Sequence, residues 1–368
     1  MMRARPGCRT SERFTAADTC RPISYRPCAR DHKKASERRG PVGCSRAAMD
    51  VLFVCDPPES FAPHADSTLV MVDEAIRRGH RAFVAMLPDL SLRGPQAFAA
   101  ATPVAIAEQP PLRIVRTGPA QARSLAEFGV VLMRKDPPFD QGYLTATWIL
   151  DRAGTAVFNA PAGLRDFNEK LATAAFAELT PETHVVRDPA QLRQTLAVLG
   201  GTMIVKPVFG FGGREVLIAR EGDPNLGSLF ELATAEGTRW TIAQAYVPAA
   251  SIGDKRILLV DGEPIGAVLR VPAAGELRNN FHAGGRPEAT ELDAADRAIC
   301  SRVGPVLRDA GQFFVGLDVI GGRLTEINVT SPTGMQEINR LGGLTGEATM
   351  QARFWAALER KLGDTSGT

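Results

Sequence analysis

The chain has 368 residues, enough for two or three domains with sizeable hydrophobic cores. Its net charge of +2 is unevenly distributed, because the first 48 residues carry 12 basic and 4 acidic side chains and the rest carry 31 and 37. A mildly acidic body argues against a nucleic-acid-binding domain, and no apolar run reaches the roughly 18 residues that a membrane-spanning helix needs.

Residues 1–48 form a basic leader that is rich in Arg, Pro and Ser and poor in periodic hydrophobic residues. We expect this leader to be disordered, with Met49 as a candidate native start; the alternative is a basic tail that binds nucleic acid or a membrane surface. Four of the six cysteines lie in the leader at spacings that match no zinc pattern, and only Cys55 and Cys300 lie in the body. We therefore expect a reducing, cytoplasmic location rather than a disulfide framework.

Residues 49–167 read as an α/β domain with a parallel sheet. The predicted elements are strands at 51–55, 81–87, 130–133 and 155–159 and helices at 68–78 and 143–153, with irregular structure at 88–129. Because open α/β sheets bind ligands at the carboxyl ends of their strands, Arg134 and Lys135 are placed to meet an anionic substrate. The alternative is that both are solvated charges at a strand end.

A glycine-rich turn between two strands marks the next segment, 168–250. The predicted elements are helices at 168–179 and 188–199 and strands at 202–208, 215–219 and 241–247. A dinucleotide fold needs a helix after its glycines and a P-loop needs GKS or GKT, so both of these nucleotide motifs are excluded. Gly210, Gly212 and Gly213 fit a flap whose backbone N–H groups close over phosphates, or else a glycine-rich hairpin that binds nothing.

The last segment, 251–362, is organised around the sequence FVGLDVIGGRLTEINVTSPT (314–333). A hairpin over 254–271, a polar loop over 272–288 and a helix over 293–310 precede it, and a helix over 346–361 follows it. Asp318, Glu326 and Asn328 carry oxygen ligands that suit a hard cation, or else are exposed polar residues of an ordinary hairpin. The metal site requires Asp318 opposite Glu326, and we expect a three-residue loop that pairs Ile320 with Leu324 to provide that register.

Six segments resemble the bacterial glutathione synthetase family of the ATP-grasp superfamily, in the same order and over nearly all of 49–360. They are MRKDPPFD (133–140), GLRDFNEKL (163–171), ELTPETHVVRD (178–188), GDKR (253–256), FVGLDVIG (314–321) and LTEINVTSPT (324–333). The resemblance implies an N-terminal α/β substrate domain with a parallel sheet, followed by a two-lobed ATP-grasp fold that holds ATP between its lobes.

The resemblance also implies roles for individual residues. It places ATP on Lys170, Lys206, the flap glycines Gly210, Gly212 and Gly213, the strand residues Gln244, Tyr246 and Val247, and Asp254. It assigns Mg²⁺ or Mn²⁺ to Asp318, Glu326 and Asn328, phosphoryl-group or carboxylate stabilisation to Arg256, Arg270 and Arg286, and peptide contacts to Arg134 and Asn280. The 272–288 loop would be a lid, in which His282 is either a candidate general base or a solvated side chain.

The implied reaction joins γ-glutamylcysteine to glycine with ATP through an acyl phosphate, in a homo-oligomer (tetramer or dimer). Departures from the family pattern at Phe209, Phe211, Asn279, His282 and 334–336 put the substrate pair in question rather than the ATP chemistry. An ATP-grasp carboxylate–amine ligase with a different substrate pair therefore stays open. A catalytically silent nucleotide-binding regulatory protein is the third hypothesis.

Overall fold

The computed structural model describes residues 48–273, 275, 276, 279 and 284–366. The predictions for the basic leader, Asn280 and His282 therefore lie outside the described residues. None of the described helices is both long and apolar enough to cross a bilayer.

The described residues form 17 strands and 8 α-helices in chain order. The strands are β1 (Asp50–Cys55), β2 (Arg81–Ala85), β3 (Leu90–Arg93), β4 (Gln96–Ile106), β5 (Ile114–Arg116), β6 (Gln121–Ser124), β7 (Val130–Arg134), β8 (Val157–Phe158), β9 (Thr183–Val186), β10 (Thr202–Pro207), β11 (Leu217–Arg220), β12 (Thr241–Ala245), β13 (Asp254–Val260), β14 (Glu263–Val271), β15 (Arg286–Ala289), β16 (Phe314–Ile320) and β17 (Arg323–Asn328). The helices are α1 (Ser67–Arg77), α2 (Gln141–Leu150), α3 (Pro161–Asp166), α4 (Pro189–Val198), α5 (Leu226–Thr234), α6 (Ala294–Asp309), α7 (Met335–Leu341) and α8 (Met350–Ser366).

The first sheet has the order β3-β4-β2-β1-β7-β8, with β5 and β6 also paired to β4. Strands β2, β1, β7 and β8 run parallel, as predicted, and their buried apolar runs fill the core beneath α1 and α8. The prediction of irregular structure at 88–129 is wrong, because four strands occupy that segment. Strand β4 is rich in Ala, a residue of low strand propensity, and antiparallel pairing with β2, β3, β5 and β6 outweighs that propensity.

The second sheet is antiparallel with the order β11-β10-β12-β9, and helices α4 and α5 pack on it. Asp188 caps α4 as predicted, because its side chain accepts a hydrogen bond from Ala190 N. The helix predicted at 168–179 is instead a 3₁₀ segment, Leu171–Leu179, that is kinked at Phe176. It starts late because the Asn168 side chain holds both Lys170 N and Leu171 N.

The third sheet is antiparallel with the order β15-β14-β13-β16-β17. The predicted hairpin over 254–271 forms β13 and β14, and Arg286 begins β15 inside the segment that was predicted to be a loop. Helix α8 begins at Met350 rather than near Gly346, after a short 3₁₀ turn. The buried Trp355 of α8 donates a hydrogen bond of 2.9 Å to Met71 O, which fixes the C-terminal helix against α1.

Candidate functional site

A cavity of about 570 Å³ opens between residues of all three sheets, within the usual volume range of small-molecule sites. The first sheet contributes Asp136 and Pro137, just beyond β7. The four-stranded sheet contributes Lys206 of β10 and the end of β12 with the residues that follow it, and the five-stranded sheet contributes side chains from β13, β14, β16 and β17. The glycine-rich segment between β10 and β11 completes the lining.

The β16–β17 hairpin brings Asp318 directly opposite Glu326, as the metal hypothesis requires. The predicted three-residue loop is nevertheless wrong. Ile320 pairs with Arg323 across the two-residue turn Gly321-Gly322, and the register then shifts by one residue between Asp318 and Val319. Thr325 is the extra residue of this β-bulge, and its hydroxyl donates a 3.1 Å hydrogen bond to Asp318 O. The bulge therefore adds the one extra residue that the prediction places in the turn, and Asp318 still faces Glu326.

Asp318 is buried between two arginines that come from neighbouring strands. Its carboxylate accepts a 3.0 Å hydrogen bond from Nη2 of Arg256, pairs with Nε of the same side chain and lies 2.7 Å from Nη2 of Arg270. Burial opposes ionisation of Asp318, but the two guanidinium groups outweigh it and hold its pKa well below the usual range. Arg270 also forms a bidentate pair with Asp254, at 2.7 and 2.6 Å. This network keeps the Asp318 carboxylate ionised.

Two lysines face the cavity from different elements. Lys170 Nζ lies 2.7 Å from Glu326 Oε1 and also contacts Gly210 O, so it joins the flap to the β16–β17 hairpin. Burial opposes its charge, but Glu326 outweighs burial and raises the Lys170 pKa. Lys206 Nζ donates a 3.2 Å hydrogen bond to Gln244 Oε1, and burial lowers its pKa to about 8. Both lysines therefore bring positive charge to the cavity at neutral pH.

The glycine-rich segment connects two antiparallel strands, β10 and β11, as predicted. Gly212 and Gly213 have φ values of +61° and +71°, a region that residues with a Cβ rarely adopt. Arg214 lies over the ring of Phe211 at 5.2 Å, and Phe209 is 63% exposed. The segment therefore presents backbone groups, the Arg214 guanidinium and the Phe211 ring to the cavity, and Phe209 adds an exposed apolar side chain beside them.

Glu169 is a cavity residue that the sequence reasoning missed. Its Oε1 accepts hydrogen bonds from Val329 N at 3.0 Å, Thr330 N at 3.1 Å and Thr330 Oγ1 at 2.8 Å, and its backbone oxygen accepts one from Ile327 N. Burial and the nearby Glu326 raise its pKa. The short segment that carries Lys170 is thus fixed along the end of β17. The only sequence signal for Glu169 is its position next to Lys170 in the segment GLRDFNEKL.

Comparison with known proteins assigns this architecture to a family. A family model described as prokaryotic glutathione synthetase, N-terminal domain, matches residues 49–165, and one described as prokaryotic glutathione synthetase, ATP-grasp domain, matches residues 169–343. The chain belongs to the prokaryotic glutathione synthetase family. These matches confirm the predicted fold of an N-terminal α/β domain followed by an ATP-grasp domain.

Individual relatives agree with that assignment. The glutathione synthetase of Salmonella typhi is 47% identical over 290 residues, which cover 78% of this chain and 91% of the relative. The glutathione synthetase of Ralstonia nicotianae is 44% identical over 323 residues, which cover 87% and 98% of the two chains. A crystal structure of D-cycloserine synthetase DcsG superposes with a TM-score of 0.59 at 18% identity, covering 85% of this chain and 99% of that one, and so shares the fold.

For a family member of this kind, the donor set of the hairpin fits a divalent hard cation. Asp318 and Glu326 are direct cross-strand neighbours, and Asn328 lies two residues from Glu326 on the same face. The Asn328 Nδ2 group donates a 3.2 Å hydrogen bond to Gly316 O, so the amide oxygen is the atom left for a ligand. The described part of the chain has no group of three His, Cys, Asp or Glu side chains suited to a metal, so a metal at this hairpin would need the Asn328 amide as well as the two carboxylates. Carboxylate and amide oxygens are the ligands that Mg²⁺ and Mn²⁺ take.

The structure brings most of the predicted site residues of this glutathione synthetase family member together. The cavity lining includes Lys170, Lys206, Gly210, Gly212, Gly213, Gln244, Tyr246, Val247, Asp254, Arg256, Arg270, Asp318, Glu326 and Asn328. Two predicted residues that the structure describes lie outside the lining. Arg286 begins an edge strand and pairs with Glu288 on an exposed surface, at 2.7 Å. Arg134 is buried, where it donates hydrogen bonds to Thr68 Oγ1 at 3.2 Å and Pro332 O at 3.0 Å.

Proposed function

We propose that this protein joins γ-glutamylcysteine to glycine and converts ATP to ADP and phosphate, forming glutathione. The observation that supports this most directly is the convergence of two lysines, a glycine-rich flap and the Asp318–Glu326–Asn328 donor set on one cavity. It occurs in a chain of the prokaryotic glutathione synthetase family, whose relatives carry that name.

The nucleotide would lie between two lobes, 168–250 and 251–362, with the substrate domain at 49–167. Gln244, Tyr246 and Val247 line the cavity at the end of β12, and we place the adenine there. Lys170 and Lys206 would neutralise phosphate oxygens, and Gly212 and Gly213 would direct N–H groups at them. Mg²⁺ or Mn²⁺ on Asp318, Glu326 and Asn328 would supply further charge neutralisation at the phosphates.

In the first step, an oxygen of the dipeptide's C-terminal carboxylate attacks the γ-phosphorus, and the bond to the β-phosphate oxygen breaks to release ADP. The protein's task is to position both anions and to balance their charge. Arg256 and Arg270 lie on adjacent strands beside Asp318, so their charge is fixed where an anion must be held. We propose that these two residues, rather than Arg286, stabilise the transferring phosphoryl group.

In the second step, the amine of glycine attacks the acyl carbon, phosphate leaves, and the nitrogen loses its extra proton. Water would compete for the same carbon, so the flap around Gly210 must close over the cavity. Arg134 would help to position the two parts of the site, because its hydrogen bond to Pro332 O holds the substrate domain against the segment after β17.

The dipeptide carries a free thiol, and the buried Cys55 and Cys300 are free as well, which supports our assignment to the cytoplasm.

One observation favours a second substrate pair on the same scaffold. Gln336 stands where the resemblance has arginine, and its Nε2 donates a 2.6 Å hydrogen bond to Asp66 O. A neutral side chain held by the protein offers no charge to a substrate carboxylate at this position. An ATP-grasp ligase with a different γ-glutamyl or amino-acid pair is therefore the alternative proposal.

The test is ADP release by the full chain with ATP, Mg²⁺ and γ-glutamylcysteine, with and without glycine. We expect turnover only when glycine is present, with glutathione as the product identified by mass. Turnover with another amine but not with glycine would establish the alternative. Tight ATP binding without turnover for any amine would contradict both and favour a regulatory nucleotide-binding protein.

A further inference from the structure

One carboxylate of the cavity, Asp136, has no hydrogen-bond or ion-pair partner among the described residues, although it lies close enough to the buried Arg134 to favour the charge of that side chain. Asp136 lines the cavity just beyond β7 and is exposed. Its neighbours fix only its backbone: Asp136 N donates a 2.9 Å hydrogen bond to Asp56 Oδ2, and Asp136 O accepts one of 2.6 Å from Lys135 Nζ. Lys135 and Asp56 also pair with each other, at 3.0 Å. Within the described residues, no donor contacts the Asp136 carboxylate.

The other acidic side chains of the cavity differ from Asp136 in this respect. Asp254 and Asp318 are paired with arginines, and Glu326 is paired with Lys170. Glu169 accepts two backbone N–H groups and a hydroxyl. A substrate ammonium group would have to compete with the protein partners of these four carboxylates, and at Asp318 and Glu326 with the proposed metal ion as well. Asp136 is the cavity carboxylate at which an ammonium group meets neither competitor.

We propose that Asp136 binds the α-ammonium group of the γ-glutamyl substrate. This inference rests on the proposed function, in which the dipeptide is the substrate with an ammonium group at the end remote from its reacting carboxylate. A charge-assisted hydrogen bond to that group would orient the dipeptide along the cavity, and Asp136 stands on the substrate-domain wall rather than among the lysines that face phosphate.

Glycine also carries an amino group, and a carboxylate beside it would have a different role. The amine loses a proton as it attacks the acyl carbon, so a carboxylate there would act as a general base and its loss would lower kcat. The ammonium of the γ-glutamyl group takes no part in bond formation and can stay protonated throughout. The donor dipeptide is therefore the substrate whose ammonium Asp136 can hold without slowing the reaction.

The first experiment is steady-state kinetics of Asp136→Asn, which keeps the size of the side chain and leaves the backbone contacts intact. We expect the KM for γ-glutamylcysteine to rise about 10- to 100-fold, the range of a charge-assisted hydrogen bond. The KM for ATP, the KM for glycine and kcat should stay near wild-type values. Asp309→Asn is the matched control, because Asp309 is 77% exposed and lies outside the cavity lining; it should change none of these constants.

The second experiment uses N-glutarylcysteine, which carries hydrogen in place of the α-ammonium group. The wild-type enzyme should show a KM for this analogue that is raised as much as the KM of Asp136→Asn for the natural dipeptide, and the variant should show no further rise. An unchanged KM for the dipeptide in an active variant, or a rise confined to glycine, would overturn the assignment of Asp136. Failure of the wild-type protein to turn over γ-glutamylcysteine at all would instead refute the proposed function.

Discussion

Replacing Glu326 with Gln separates the catalytic contribution of this carboxylate from its structural one. The substitution keeps the volume and the strand register but removes the charge that faces Lys170. The pair is partly shielded from solvent, with 7% of the Lys170 side chain and 23% of the Glu326 side chain exposed. Charged hydrogen bonds contribute about 1.5–3 kcal/mol, and partial exposure puts this one near 1.5 kcal/mol. A protein of this size should then lose about 2 °C in Tm.

The effect on rate should be much larger than the effect on stability. A bound divalent ion stabilises charge in the transition state by several kcal/mol, and a loss of 3 kcal/mol lowers the rate about 150-fold. We therefore expect kcat of Glu326→Gln to fall at least about 100-fold while ATP binding persists. ADP release measured over a titration of Mg²⁺ should also show a higher metal requirement.

A matched control is available outside the cavity lining, where α8 meets the end of α1. Glu359 has a side chain that is 22% exposed and lies 3.2 Å from both Arg78 and His80, so Glu359→Gln removes a comparable pair outside the cavity. Thermal unfolding of both variants should show similar small losses, with full activity in Glu359→Gln. A Glu326→Gln enzyme within threefold of the wild-type kcat would refute the metal assignment. Equal losses of activity in the two variants would attribute the effect to destabilisation.

Four further predictions follow from the same contacts. ATP affinity should fall as pH rises through about 8, because Lys206 then loses its proton, and calorimetry at pH 7 and 9 should show that dependence disappear in Lys206→Met. Asp318 has a depressed pKa in the folded state, so the stability it contributes is present above pH of about 4 and lost on acidification; urea unfolding at pH 7 should show Asp318→Asn less stable by about 3–5 kcal/mol, and equal stabilities would contradict the buried network. Glu169→Ala leaves Val329 N and Thr330 N without their acceptor and should weaken ATP binding about tenfold in fluorescence titrations, whereas unchanged affinity would show that Glu169 does not position Lys170. Light scattering should give the mass of a dimer or tetramer, and a monomer mass would disprove the oligomer prediction.

The sequence predicted those parts of the fold that carry strong local patterns. Strands β1, β7 and β10 are short apolar runs, and Asp188 is a good N-cap, so each was found within a few residues. Strand β4 was missed because its alanines lack a local strand preference and only its pairing partners make it a strand. The helix predicted from Asn168 begins later, as a 3₁₀ segment, because the Asn168 side chain binds Lys170 N and Leu171 N, which the sequence pattern does not show.

For the site, too, some residues could be placed from the sequence and others only from the folded structure. The sequence places Lys206 on a strand before the glycines and Asp318 and Glu326 on a hairpin, and the resemblance adds Lys170; the structure brings these four residues to one cavity. The sequence pattern does not show the surroundings of Arg134 and Arg286. Arg134 is buried and donates a hydrogen bond to Pro332 O, whereas Arg286 lies on an exposed edge strand. Which carboxylate has a partner is likewise a property of the folded cavity, so Asp136 became apparent only from the contacts around it.

Because of the bulge at Thr325, the length of the Gly321-Gly322 turn does not by itself decide which face of the sheet the cavity residues occupy. In a regular hairpin, one residue added to the loop would rotate every later side chain to the opposite face. Here the extra residue is Thr325, which bulges out of the strand pairing three positions after the turn. Glu326 and Asn328 therefore lie on the same face as they would after a three-residue turn. Chains of this family could therefore exchange a two-residue turn with a bulge for a three-residue turn without one. Loop length alone would then be a poor guide when homologous metal-site hairpins are aligned or grafted.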